Sequence, residues 1–477
     1  MIENDGISDV SWAQHEMRVL RGCEKRLQRR VVLLLEDCAG KPGASLPRAC
    51  GSWARSKGAY RCMSNPAVKA PELLRSHTEA TWQRMSAHEV VLAVADTTSL
   101  NHTSPPATAG LGPIHIQGSS ARGMHLHSVL ALSEQGEPLG LLHAHEWVRS
   151  HVRGKVARGR DKNNRALEER ESRRWVEGYE ELVRQSQQKQ QQGAPGGPRL
   201  IMVADREADI YELFLAAQAH KEHCGLLVRA VRARRLDEED RVVWEHLAGQ
   251  PELGRLKVEV PAQGTRPARE ATLSVRSAAV KLSVPVDKKR LFGASEPLAV
   301  WAMEAVELKA PAGQQPLHWK LLGSEEARDF QQVSRQLQWY ARRWSIEVFH
   351  KTLKSGCRTE DRQLGTHEGL VRMLMVDAIV AWRLMAMTYA ARHQPQAPCD
   401  TWLDEAQWRV LSCWATKRPP PSQPPSIHQV VQWIARLGGF LGRKSDGPPG
   451  VQSLWLGLLR LEPMVELWHA QQSVGND

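Results

Sequence analysis

Tyr340, Arg343, Glu347, Lys351 and Lys354 are spaced by three, four, four and three residues in the run Tyr-Ala-Arg-Arg-Trp-Ser-Ile-Glu-Val-Phe-His-Lys-Thr-Leu-Lys. At about 3.6 residues per helical turn, that spacing lays all five along one stripe. A lone carboxylate within a basic, hydrogen-bonding ridge suits a particular chemistry. Glu347 is a hard oxygen ligand for Mg²⁺, and Tyr, Arg and Lys at one-turn intervals suit a row of phosphates. The same stripe also fits a solvated helix face with a Glu347/Lys351 pair, worth only a few tenths of a kcal/mol.

Two further carboxylates bear on that choice. Asp96 follows the apolar run Val90 to Ala95, and Asp205 follows Leu200 to Ala204; both runs have the length and β-branched content of buried strands. Ligands collect at the carboxyl ends of strands in open α/β sheets, so two neighbouring strand tips bring two carboxylates to one metal site, which Glu347 from a later helix completes. Taken singly, either Asp reads first as a helix N-cap or turn residue, because Thr97-Thr98 and Arg206-Glu207 follow at once. Glu207 and Asp209 compete with Asp205, but they enter the first turn of a helix, where the dipole alone favours acids.

The elements that must position these residues alternate in type. The first ~70 residues read as helices broken at Gly40-Lys-Pro-Gly43 and Asn65-Pro66. After the Asp96 strand, alternating runs at Met124 to Leu132 and Leu139 to His145 flank Glu134-Gln-Gly-Glu-Pro138, a hairpin signature. A charged helix is expected from about Asn163 to Gln187, then a flexible Gln/Gly/Pro loop from Gln185 to Pro198, the Asp205 strand, a helix from Ala208 to Ala219, and a short strand from Gly225 to Arg229. Short runs at Leu256 to Val260, Ala271 to Val275, Val280 to Val284, Ala299 to Val306 and Leu317 to Leu322 predict a mostly antiparallel sheet inserted before the Glu347 helix. The Trp-rich C-terminal part is helical and is entered through proline runs at 419–421 and 424–425. The order β-β-β-α-β-α-β, followed by the Glu347 helix, has the form of a ribonuclease H-like domain.

Composition narrows the partners. The 477 residues carry a net charge of +11, which favours a polyanion, and nucleic acid over membrane because no long basic amphipathic tail is present. From His15 to Arg61 there are eleven Lys/Arg against four Asp/Glu, the footprint of a DNA-binding module. Eight scattered Cys without a CxxC pair support neither a zinc ribbon nor a disulfide framework. With an acidic N-terminus and no apolar run of membrane-spanning length, a cytoplasmic protein is expected.

Several blocks, in order, then carry a family resemblance: Gly58-Ala-Tyr-Arg-Cys-Met-Ser-Asn-Pro66, Ala95-Asp-Thr-Thr-Ser-Leu100, Asp205-Arg-Glu-Ala-Asp-Ile210, Gln250-Pro-Glu-Leu-Gly254 and Ala435-Arg-Leu-Gly-Gly-Phe440. With the Tyr340-x2-Arg343-x3-Glu347-x6-Lys354 spacing, the chain resembles bacterial insertion-sequence transposases of the DDE class, in the Tyr-Arg-Glu-Lys signature branch. Within that branch the likeness is greatest to the cut-and-paste transposase of the composite transposon carrying kanamycin, bleomycin and streptomycin resistance.

The resemblance implies an α/β fold: a ribonuclease H-like catalytic domain at 72–392 with a β-insertion at about 237–323, a helical DNA-end-binding domain at 1–71 and a helical dimerisation domain at 393–477. It implies that Asp96, Asp205 and Glu347 hold two Mg²⁺ ions per active site, with Mn²⁺ as a substitute. The reactions implied are nicking at the transposon end, hairpin formation and opening, and joining of the 3′-OH to target DNA, carried out by a homodimer on double-stranded DNA ends. Tyr340, Arg343, Lys351 and Lys354 would hold phosphates. Trp319 would stack on a flipped base, a contact worth about 1–3 kcal/mol. A packing role is the other reading of Trp319, and weighs more heavily for Trp344. Arg26, Arg29, Arg30 and Arg61 are DNA-contact candidates from charge alone. The chain departs from the family at the lengthened loop before Asp205, at Val348 in place of an acid and at Leu353 in place of a Trp; none is one of the three carboxylates.

His125, His127, His143 and His145 alternate on the expected hairpin and could meet as a zinc site, although polar histidines lining a DNA-facing sheet edge explain them as well. Two other functions remain open: a catalytically silent DNA-binding inhibitor of transposition, and a structure-specific metal-dependent nuclease.

Overall fold

The computed structural model describes residues 11–103, 108–115, 120–149, 171–193, 197–237, 241–260, 269–285, 296–443 and 446–474. Five N-terminal helices, α1 (Trp12–Glu16), α2 (Lys25–Gly40), α3 (Leu46–Cys50), α4 (Trp53–Ser64) and α5 (Ala70–Met85), lead into a ten-stranded sheet. The strands are β1 (Val90–Asn101), β2 (Gly112–Pro113), β3 (Arg122–Ser133), β4 (Pro138–Trp147), β5 (Arg199–Ala204), β6 (Cys224–Arg229), β7 (Gly254–Val260), β8 (Arg269–Leu282), β9 (Leu298–Glu307) and β10 (His318–Gly323). The α/β class, the large mostly antiparallel sheet and the helical parts at both ends are as expected.

One half of the sheet is a β4-β3-β1-β5-β6 array. The chain forms two antiparallel steps, β1–β3 and β3–β4, then returns through α6 (Arg173–Gln191) to place β5 parallel to β1, and through α7 (Tyr211–Ala219) to place β6 parallel to β5. A parallel pair needs such a crossover, and each helix covers the face it crosses. Alternate residues of β1 and β5 therefore serve two cores. Val91, Ala93, Leu200 and Met202 pack under Trp175, Tyr179 and Phe214 of α6 and α7. Leu92, Val94, Ile201 and Val203 pack on the opposite face, in the cluster that holds Ile346, Phe349 and Leu353.

The strands at 254–323 depart from expectation in two ways. They continue the same sheet, because β10 pairs with β6, rather than forming a separate one. The runs at Ala271 to Val275 and Val280 to Val284 are one strand, β8, which keeps unbroken register with β9 from Leu273 to Leu282. Its Ser277-Ala278-Ala279 centre lacks the bulk of a strand signal, yet pairing carries it through. A short helix, α8 (Val243–Ala248), was also not foreseen. The Gln-rich stretch is helix through Gln191: Gln185 is buried, donates to Leu142 O at 2.8 Å and accepts from the Trp82 indole at 2.9 Å. The start of the expected helix, at 163–170, lies outside the described residues.

After β10 come α9 (Phe330–Arg342), α10 (Trp344–Lys351), a single π-helical turn over Thr352–Gly356, and four C-terminal helices, α11 (His367–His393), α12 (Glu405–Thr416), α13 (Ile427–Leu437) and α14 (Val451–Val474). The mostly buried α11 ties both ends of the chain to the sheet. Arg362, ahead of it, donates to both oxygens of Asp377 at 2.7 and 3.0 Å and to Ala44 O in the N-terminal part at 2.7 Å, all of it buried. Between the two ends, the Arg383 guanidinium lies 4.1 Å from the ring centroid of Trp12 and 4.9 Å from that of Trp402, beside a cavity of about 830 Å³ that does not reach Asp96. Among the described residues, no helix is long and apolar enough to cross a membrane.

Removing one partner of a buried ion pair leaves an uncompensated charge. Asp377→Asn is expected to lower stability by about 3–5 kcal/mol, read from the midpoint of urea unfolding.

Candidate active site and nucleic-acid surface

Parallel pairing of β1 with β5 runs to Val94 opposite Val203. Asp96 and Asp205 lie two residues beyond that pair on each chain, at the same level on strands roughly 4.8 Å apart. By the twofold alternation, both fall on the Leu92/Val94/Ile201/Val203 face. Asp96 is not the end of its strand: β1 continues to Asn101, held by antiparallel pairing to β3. It is the end of the parallel pairing only. Asp205 is extended and caps the following 3-10 turn, accepting from Glu207 N at 2.8 Å. The turn reading of Asp205 therefore holds alongside its strand-tip position.

The α10 helix lies over this face. Its Ile346 and Phe349 are fully buried, and the buried His350 Nε2 meets Ser128 Oγ at 2.7 Å, where Ser128 is the cross-strand partner of Asp96. Docking that deep leaves Glu347, on the adjacent part of the turn, over Asp96. Asp96, Glu347, His350, Lys351 and Lys354 line one cleft of about 450 Å³. The Arg343 guanidinium spans the two carboxylates, 2.6 Å from Glu347 Oε1 and 3.6 Å from Asp96 Oδ2.

The charges of Asp205 and Glu347 both reach Asp96. Burial pushes the Asp96 carboxyl up to about 6; the Thr97 N–H and Arg343 oppose this, while the charges of Asp205 and Glu347 add to it. Burial also works against the Arg343 charge, but the Glu347 hydrogen bond and the nearby acids outweigh it and raise the guanidinium's proton affinity. Among the described residues no three Asp, Glu, His or Cys side chains stand close enough to grip an ion as they are. The donor set fits a hard divalent cation in kind, since it is all carboxylate and its mutual repulsion already attracts a positive charge, here the guanidinium.

The stripe is not the continuous one expected. Helical hydrogen bonding is interrupted at Arg343 and a π turn follows Lys351, yet Glu347, Lys351 and Lys354 still line one cleft. Lys354 Nζ donates to Ser99 O at 2.9 Å and thus spans from the turn to β1. Lys351 reaches Gln452 Oε1 of α14 at 2.9 Å. Tyr340 is buried, its ring edge-on to half-buried Trp319 at 5.8 Å between centroids. Trp344 is 57% exposed, so the packing role favoured for it is overturned.

The neighbouring acids have other partners. Asp209 is buried and accepts from Val231 N, Arg232 N and Arg234. Glu207 pairs with Arg174, which also donates to Thr97 Oγ1 at 2.8 Å and so bridges the backbones that carry Asp96 and Asp205. Sequence reasoning missed Arg174; its only signal is a basic residue at the start of an otherwise amphipathic helix.

His125, His127, His143 and His145 share a face; His125, His127 and His143 are enclosed on the α6 side, whereas His145 is exposed. His127 packs edge-on to Trp175 at 4.7 Å, and the Nε2 atoms of His125, His127 and His143 are enclosed without a partner. Burial pushes the His125 and His143 rings down to about 4 and holds that of His127 well below its usual value.

In the N-terminal helices Arg26, Arg29 and Arg61 are exposed and Arg30 half-buried; none forms an ion pair among the described residues. Part of the basic excess is neutralised internally, since Lys41 and Arg48 pair with Glu462 of α14, and Arg55 with Asp37. An exposed Trp53 on α4, 75% accessible, escaped the sequence reading.

Comparison with known proteins adds two findings. Residues 9–68 match a model described as transposase DNA-binding, and residues 379–475 match one described as the transposase Tn5 dimerisation domain. The chain thus carries segments of transposase type at both ends. A chain of the piggyBac transposase synaptic complex with hairpin DNA, seen by cryo-EM, is similar over 81% of this chain and 72% of that one, at 9% identity and a TM-score of 0.38, too loose a likeness to fix fold or site.

The buried neutral histidines set a pH dependence. Their folded-state pKa lies below the 6.5 of the free ring, so the unfolded chain binds more protons below that pH, and the stability present above it is lost as pH falls toward 4. His102, with both ring nitrogens enclosed and its ring pushed down to about 4, belongs to the same set. Melting temperature is expected to fall steadily from pH 7 to pH 4.5, and His102→Leu to flatten that slope; an unchanged slope would show the ring is not neutral in the fold.

Proposed function

We propose that the protein is a cut-and-paste DNA transposase: it binds transposon ends, nicks them, excises the element through hairpin intermediates and joins the 3′-OH ends to target DNA as a homodimer. The observation that carries this reading is the parallel register of β1 and β5, which ends two residues before Asp96 and before Asp205, together with the cleft shared by Asp96 and Glu347. The two end segments of transposase type support it. The ordering of the array, two antiparallel steps followed by two parallel ones, supports a ribonuclease H-like core.

Asp96, Asp205 and Glu347 are the residues that would hold divalent ions, Mg²⁺ with Mn²⁺ as substitute; two such ions supply activation of water or a 3′-hydroxyl and stabilisation of the leaving oxygen. The rest falls to the chain's own groups. Arg343 is poised to exchange the Glu347 carboxylate for a DNA phosphate, an exchange that also frees Glu347. Lys354, fixed to the β1 backbone, holds its ammonium at the cleft edge where a phosphate would pass, and Lys351 extends the positive rim. Half-buried Trp319 on β10 offers part of its ring to a base, braced from behind by Tyr340. The His350–Ser128 bond keeps α10 seated, so that the spacing of Glu347 from Asp96 does not depend on the DNA.

The test is incubation of the purified protein with Mg²⁺ and labelled terminal inverted-repeat DNA. Hairpin and strand-transfer products support transposition; nicks alone indicate a nuclease, and shifted but intact DNA a binder. Asp96→Asn, Asp205→Asn and Glu347→Gln are each expected to abolish cleavage and to retain end binding; near wild-type cleavage by any one removes that residue from the site. Lys354→Ala is expected to weaken end-complex formation and to lower its salt dependence by about one phosphate contact.

A further inference from the structure

We infer that Trp53 is an aromatic contact of the N-terminal DNA surface, laid against a base or sugar of the bound duplex while flanking cations hold the phosphates. This rests on the reading of the chain as a DNA-end-binding protein and specifies how that binding is made.

Trp53 opens α4 and is the most exposed large apolar side chain among the described residues, at 75%. An indole left that open forgoes the burial that would stabilise it in the fold. Isolated exposed apolar residues need no explanation; the surroundings of this one supply it. Lys57, one turn on, places its ammonium 4.4 Å from the ring centroid, and Arg61 follows at the next turn. All three are exposed on one face of α4, a helix without a single carboxylate.

A second helix adds to the same surface. The Arg30 guanidinium of α2 lies across Gly58 so closely that a Cβ there would come within 2.8 Å of its Cζ. Gly58 thus leaves room for that cation to lie against α4 between Lys57 and Arg61. Arg26 stands one turn before Arg30 on the same side of α2. None of Arg26, Arg30, Lys57 and Arg61 has an ion-pair partner among the described residues, in contrast to Lys41, Arg48 and Arg55, which are neutralised internally. A ring bordered by unneutralised cations fits a polyanion that also presents apolar sugar and base-edge surface, which is duplex nucleic acid. The cations read the backbone and the ring reads what lies between.

The experiment compares Trp53→Ala, Trp53→Phe, Lys57→Ala and Arg61→Ala in the full chain, on a labelled duplex copied from the terminal inverted repeat and on one of random sequence, over a salt series. Trp53→Ala is expected to lose roughly tenfold or more in affinity for the repeat, with the slope of log K against log salt unchanged. Trp53→Phe should retain most of the affinity. Arg61→Ala and Lys57→Ala should each lower the slope by about one. If Trp53→Ala binds like wild type while the cation variants weaken, the aromatic contact is refuted and DNA binding by this surface stands. If none of the four differs from wild type on either duplex, the DNA-binding reading of these helices fails as well, and the inference with it.

Discussion

Everything about the candidate site follows from one strand pairing. Because β5 lies parallel to β1 and in register with it, two aspartates 109 residues apart in the chain finish level with each other on one face of a sheet. A parallel neighbour can only be reached by a crossover, and α6 supplies it on the opposite face, so the Asp96/Asp205 face stays free for a different helix. That helix is α10, and its apolar residues dock it there. Asp96 is thereby held largely out of water, and that burial, to which the charges of Asp205 and Glu347 add, raises its affinity for protons.

Such a cluster has to be neutralised by something, and Arg343 does so without DNA or metal. Its guanidinium takes a hydrogen bond geometry with Glu347 and stands within Coulombic reach of Asp96. One of the three, Glu347, is turned to the arginine. On the proposed reading, a phosphate that drew Arg343 away would uncover Glu347 in the same movement, so that substrate and cation would favour each other's arrival.

Much of this was legible in the sequence, and the failures share a physical cause. Asp96, Asp205 and Glu347 could be singled out because apolar runs and helical spacing are local signals. The hairpin, the parallel return and the helical ends were likewise written in periodicity. What local pattern does not carry is partner choice. The length of β1 past Asp96 and the continuity of β8 through Ser277-Ala278-Ala279 depend on pairing with β3 and β9. The burial of Gln185 depends on an indole 103 residues away. The stripe from Tyr340 to Lys354 presumed an ideal helix, whereas the break at Arg343 and the π turn redirect its two ends, one into the core and one onto a strand. That His125, His127 and His143 are enclosed while His145 stays exposed is likewise announced by nothing local, because it depends on where α6 lies.

The distribution of cations separates structure from function across the whole chain. Arg362, Arg383, Arg234 and Arg174 lie largely buried and are committed to carboxylates, carbonyls or aromatic faces; they tie the ends to the sheet and the strand tips to each other. Lys41 and Arg48 are spent on α14, so the N-terminal and C-terminal helices are held together by charge as well as by packing. Arg26, Arg29, Arg30, Lys57 and Arg61, on two adjacent N-terminal helices, have by contrast no carboxylate partner among the described residues. Net charge alone could not have told these apart, because both kinds count equally in the sum of +11. Only the fold shows which positive charges are already answered from within, and it is the unanswered ones that are available to a polyanion.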